Sequence, residues 1–211
     1  MPRRARIALS GAAVGVALLA VTWYVSHHVG VAMSADVSIL RGFALLDRPW
    51  LNTLTNFVAG LCDPNHYVFL VAVPIIVALA RRRPRVAAMI AIVVLGANET
   101  TQLLKPLLAA PRDVVYWHPV DLASWPSGHA TAAMTLALCS IVAAPARRRP
   151  AVATAMAAFA VAVSYSFLEL GWHYPSDVLG GFLVAGIWTL LGVAALTIVE
   201  SRRAGARSAS A

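Results

Sequence analysis

Trp125–Ala144 reads W-P-S-G-H-A-T-A-A-M-T-L-A-L-C-S-I-V-A-A, a proline-led polar tetrad opening onto a long apolar run. This is the mouth of a helix. Pro126 ends what precedes it and Ser127 suits the N-cap position. The backbone N–H groups of Ser127, Gly128 and His129 lack intrahelical partners and sit at the positive end of the helix dipole. Such an end is suited to an anion. His129 places a titratable ring in the first turn, where it can give a proton to whatever carries that anion. The same residues would also serve in an ordinary capped helix with an incidental histidine, so the surroundings decide.

The chain has 211 residues, 60% of them apolar and 12% charged, with a formal net charge of +8. A soluble domain is about twice as charged. Thirteen of the seventeen Lys and Arg residues fall in four clusters, Arg3–Arg6, Arg81–Arg85, Arg147–Arg149 and Arg202–Arg207. Each borders an apolar run, which is the positive-inside pattern of cytoplasmic loops and not a nucleic-acid surface. The histidines and most acids fall on the other side. The composition therefore predicts an all-α, polytopic membrane protein. Cys62 and Cys139 are too far apart along the bundle to pair and read as small apolar fillers.

Working outward in both directions, six spans satisfy every cluster. Ile7–Val25 is the first, with a cytoplasmic N-terminus over residues 1–6 and Trp23, Tyr24, His27 and His28 at the outer interface. Val31–Asp63 is too polar to span. Its Leu51, Leu54, Val58 and Leu61 recur at helical spacing, which predicts an amphipathic helix on the outer surface or packed against the bundle. Pro64–Ala80 is the second span, with a kink expected at Pro74. Val86–Leu104 is the third, Ala130–Ala144 the fourth, Ala151–Leu168 the fifth and Ser176–Val199 the sixth. Residues 7–199 thus form one membrane domain, and 200–211 a cytoplasmic tail without order. The Ala, Val and Arg richness with compact loops suits a bacterial chain.

The outer half of span three is unusually polar. Asn98, Gln102 and Lys105 share one helix face, and Glu99 lies beside them, about 9 Å inward from Lys105. Ionisable residues at that depth are costly unless wetted or paired, so they predict a cavity, with interhelical hydrogen bonding as the alternative. The loop from Pro106 to Pro126 carries Arg112, Asp113, His118 and Asp121. The turn Glu169–Pro175 carries His173, four residues before Asp177. The six-span topology brings Lys105 and Arg112, Ser127-Gly128-His129, and His173 with Asp177 to one external face. Two cations, a helix N-terminus, two histidines and a carboxylate suit metal-free phosphoryl transfer. In that chemistry His173 attacks phosphorus in line, Asp177 orients it and His129 protonates the leaving oxygen.

These three segments resemble the signature of the type 2 phosphatidic acid phosphatase family of integral membrane phosphatases, whose active site is related to that of vanadium haloperoxidases. The family pattern is K-x6-R-P, P-S-G-H and S-R-x5-H-x3-D. The chain matches Lys105 and Arg112 of the first, with Asp113 in place of proline. It matches all of Pro126–His129, and in Ser166–Asp177 it keeps the spacing of the third. The resemblance covers essentially the whole chain. It implies a phosphohistidine at His173, His129 as acid and Asp177 as orienter. It implies Lys105, Arg112, Ser127 and Gly128 as phosphate ligands, with no metal and no cofactor. The implied partner is a phosphorylated lipid of the cell membrane, reached from the bilayer at the extracytoplasmic face, with both termini cytoplasmic. One position departs from the pattern: the third-motif Arg is Phe167. Asn98, Glu99, Gln102, His118 and Phe167 are the residues expected to line the cavity. Phe167 leaves a second reading open, a weak or inactive relative that binds or moves a phosphorylated lipid. Neither the lipid nor the oligomeric state is fixed by the sequence.

Overall fold

The structure is a computed structural model that describes residues 1–46, 48–110 and 120–209. It is all-α, with no strand among the described residues. The helices are α1 (Arg3–His28), α2 (Gly30–Ala44), α3 (Pro49–Gly60), α4 (Pro64–Ala80), α5 (Pro84–Leu108), α6 (Gly128–Ala143), α7 (Arg149–Glu169) and α8 (Pro175–Ala209). A short 3-10 turn, Ala146–Arg148, precedes α7. Proline opens α3, α4 and α5 in the first turn, where its missing N–H has no intrahelical partner to lose. Inside the helices, α4 is continuous through Pro74, and α5 runs past Pro106 so that Lys105 lies in its last turn.

Helix α6 is the centre of the bundle, packing against α4, α5, α7 and α8. Its alanines and small polar residues are almost all buried, including Ala130, Thr131, Ala133, Thr135 and Cys139. Small side chains let four neighbours approach one helix closely. α1 packs along α8 through Ala5, Ala8 and Ala12. Its other side exposes Ile7, Val14, Val16 and Val21, and α4 similarly exposes Val68, Phe69, Val73 and Ile76. An apolar belt of this extent requires lipid as its solvent.

Four described helical segments are long and apolar enough to cross a membrane: α1, α5, α7 with its 3-10 turn, and α8. α3 and α4 together make a fifth candidate, bent by 59° at their junction. α6 is an apolar helix of 16 residues, about 24 Å long against a hydrocarbon core of about 30 Å. The sequence expectation of six full spans is thus met by four or five on length and apolarity; the shortfall lies at α6, and at α4 where its bent pairing with α3 is not counted as one span.

The helix expected around Leu51–Leu61 is α3, packed against α7, and a second helix, α2, precedes it in the segment expected not to span. The buried face of α3 is Thr55 and Ala59, set against α7, while Trp50, Leu54 and Phe57 are exposed. Of the predicted stripe, Leu54 is exposed while Val58 packs against the core, and the inner face also carries a polar contact, Thr55 Oγ1 donating to the buried Glu169 carboxylate at 2.8 Å. At the other end, α8 continues helical through Ala209, beyond the point where an unordered tail was expected. The residues there, Glu200, Arg202, Arg203 and Ala204, are good helix formers.

Candidate active site

The motif segments meet where α6 and α8 begin. Ser127 caps α6, its Oγ accepting from the Ala130 N–H at 3.2 Å. Its own N–H donates to the Asp177 carbonyl at 3.0 Å, tying the mouth of α6 to the first turn of α8. This link needs Gly181. A Cβ there would stand 2.6 Å from the Ser127 carbonyl oxygen and 2.9 Å from the Thr131 nitrogen, both backbone atoms. The Ser127 amide, expected to face an anion, is therefore engaged in the scaffold. Gly128 and His129 remain as the first-turn amides outside that link.

Asp177 is fully buried and its Oδ2 accepts from the Tyr174 N–H at 3.0 Å. The same oxygen lies 3.4 Å from Nδ1 of the buried His173. With Nδ1 facing the carboxylate, Nε2 is the ring nitrogen left for chemistry. The start of α8 is held from outside as well. The Ser176 N–H donates to Asp36 Oδ1 of α2 at 3.1 Å, and the Ser176 hydroxyl donates to Asp36 Oδ2. Sequence reading missed Asp36, since a cap supplied from 140 residues away leaves no local pattern.

A cavity of about 310 Å³ opens beside this junction, lined by Asn98, Gln102 and Lys105 of α5, Gly128, His129 and Ala132 of α6, and Cys62, Pro64 and Tyr67 near the start of α4. Asn98, Gln102 and Lys105 thus share one wall, as their spacing on one helix face requires. Glu99, expected with them, is exposed on the outer side of α5 alongside Leu95 and Leu103, because one residue's step turns it away. Arg112 and His118 lie outside the described residues.

Phe167 is fully buried and stands between the motif rings. Its centroid lies 4.9 Å from that of His129 and 5.9 Å from that of His173, edge-on to the latter, while Trp172 stacks on it at 5.9 Å. The position where the signature carries an arginine is therefore an aromatic platform beneath both histidines. Asp63, at the N-cap of α4, was not singled out in the sequence either. Its Oδ1 lies 3.0 Å from Nε2 of His129. The only local signal was an acid just before a helix-opening proline.

Residues 88–199 match the family model described as the PAP2 superfamily. Among solved structures, the chain resembles the first transmembrane PAP2 type phosphatidylglycerolphosphate phosphatase from Bacillus subtilis, with a TM-score of 0.72 at 21% identity over 86% of this chain and 94% of that one. It also resembles LpxE from Aquifex aeolicus, with a TM-score of 0.59 at 18% identity over 74% of this chain and 93% of that one. No curated protein matches it in sequence. The family model spans more than half of the chain and contains the P-S-G-H tetrad and the His173–Asp177 pair, so this chain belongs to the PAP2 superfamily.

Proposed function

We propose that this protein hydrolyses a phosphate ester or diphosphate of a membrane lipid, without a metal, through a phosphohistidine on His173. The observation that carries the reading is the junction of α6 and α8. One backbone hydrogen bond there fixes His129 and the His173–Asp177 pair side by side, next to a cavity walled by Lys105. In the first half-reaction Nε2 of His173 attacks phosphorus. The N–P bond forms, the P–O bond to the lipid breaks, and His129 gives its proton to the departing oxygen. In the second, water attacks phosphorus, His129 takes back a proton and the N–P bond breaks, releasing inorganic phosphate. Lys105, Arg112 and the amides at Gly128 and His129 hold the phosphoryl oxygens. The structures this chain resembles include a phosphatidylglycerolphosphate phosphatase, which supports a lipid phosphate as substrate class.

The test is phosphate release by purified protein from phosphatidate, phosphatidylglycerophosphate, a sphingoid phosphate and a polyprenyl diphosphate, with His173→Ala as control. Release from at least one, abolished in the variant while the fold persists, is the expected result. Turnover unaffected by His173→Ala would refute the mechanism. The buried Phe167 in place of a cation favours a second reading, a relative that binds or moves a phosphorylated lipid. Saturable lipid-phosphate binding without release would establish that one.

A further inference from the structure

We infer that Asp63 is the positioning residue of the acid, favouring the protonated His129 ring and directing it at the cavity mouth before the leaving oxygen arrives. This rests on the phosphatase reading above. The imidazole and carboxylate are 3.0 Å apart, and their side chains are 29% and 50% exposed respectively. Asp63 ends the short turn between α3 and α4, at the 59° bend, and the residues either side of it, Cys62 and Pro64, line the cavity. The carboxylate therefore stands on the rim, where substrate must pass.

Burial is the largest influence on His129 and lowers its affinity for a proton, so the charged groups around the ring decide how far that loss is offset. Among the described residues, the ionisable groups acting on His129 are Asp63 from the α3–α4 turn, Lys105 from α5 and His173 from the turn before α8. Phe167 and Trp172 add only uncharged rings. Lys105, placed there for phosphate, repels an imidazolium. Asp63 alone of these groups attracts one. A general acid must hold its proton at the working pH, so a buried histidine beside a lysine needs a carboxylate to oppose the loss of its proton. Nε2 is the nitrogen at the carboxylate, and the residue lines the cavity. The leaving oxygen enters beside Asp63 and takes the proton: the N–H bond of His129 breaks, an O–H bond forms on the departing alcohol, and Asp63 itself never carries it. The proton returns from water in the second half-reaction.

The experiment compares the wild type, Asp63→Asn and Asp63→Glu as full-length protein in detergent micelles. Phosphatidate serves as the poor leaving group and p-nitrophenyl phosphate as the activated one, across pH. Removing the charge while keeping the shape should move the basic limb of the phosphatidate profile down by about one pH unit. It should lower kcat for phosphatidate roughly tenfold on that limb, with little change in KM and little change for the aryl phosphate, whose departure needs less protonation. Asp63→Glu should restore part of the loss. A direct NMR titration of His129 in ring-labelled protein should show the same downward shift in Asp63→Asn. Identical His129 titrations in wild type and Asp63→Asn would overturn the assignment whatever the turnover. A wild type with no turnover on either probe, but with the Asp63-dependent titration intact, would count against the phosphatase reading and leave the pairing standing.

Discussion

Phe167 sets the character of the site. A phosphoryl group in transfer spreads charge over three equatorial oxygens, and each fixed donor to them is worth roughly 10²–10³ in rate. An arginine at this position would supply one. Phe167 instead is fully buried, braces the His129 and His173 rings and stacks on the 40%-exposed Trp172. Its contribution is rigidity of the two imidazoles. Phe167→Leu keeps the apolar character, removes the edge and stacking contacts, and should lower kcat more than it raises KM. Phe167→Arg puts a charge into a buried place and should lower Tm, an unpaired buried charge costing several kcal/mol. Vanadate should return much of that loss by supplying the counter-charge, and thermal melts with and without it are the check. A variant equally destabilised in both conditions would show that the residue-167 side chain does not face the phosphate. The departure of Phe167 from the signature was legible in the sequence. What it does in place of the arginine was not, because ring packing depends on which helices become neighbours.

At the scale of elements, the site is a crossing of two helix starts, and its weakest tolerance is at Gly181. The two nearest atoms a Cβ would meet are backbone atoms of Ser127 and Thr131 and the third is the Cβ of Ala130, so none can swing aside. Gly181→Ala must therefore push α6 and α8 apart, at a cost of about 1–3 kcal/mol, and stretch the Ser127–Asp177 link. Activity should fall with Tm, and the loss should exceed that of Gly186→Ala, where a Cβ meets open space. Equal effects of the two substitutions would show that the helices can slide. Gly181 was visible beforehand only as part of a family-like string; its physical reason needs the crossing. The helices themselves were legible, since proline starts, arginine stops and apolar runs are local signals. The stripe at Leu51–Leu61 marked α3, but α2 and the contacts that hold both helices were not legible. The Thr55–Glu169 hydrogen bond that fixes the inner face of α3 joins residues 114 positions apart, and Asp36 reaches Ser176 in the same long-range way.

For the whole molecule, the decisive property is that its two ends differ in charge. Gly11 faces Leu190 and Gly15 faces Ile187, so α1 and α8 run antiparallel and Arg3–Arg6 lie toward the Glu200 end of α8. Glu200 in turn shares a pocket with Arg82, Arg83 and Arg85, between α4 and α5. Arg81 donates to the Ala143 carbonyl at the end of α6, next to the 3-10 turn that holds Arg147 and Arg148. The four basic clusters separated in sequence therefore gather at one end, and the cavity lined by His129 lies at the other. From the positive-inside rule we propose that this end is cytoplasmic and that the cavity opens outside. α6, the helix joining the two ends, is short for the bilayer, and its buried flanks mean that neighbouring helices shield what it does not span. Its sidedness is the point to test. Single cysteines at the exposed positions Leu122 and Arg148 flank it, in a chain freed of the buried Cys62 and Cys139. In intact cells a membrane-impermeant thiol reagent should modify the cysteine at 122 and reach the one at 148 only after permeabilisation. The reverse order would put the cavity in the cytoplasm and make the substrate an inner-leaflet lipid. Modification of both from outside would mean that α6 does not cross at all, and the shared site built on its first turn would fall with it.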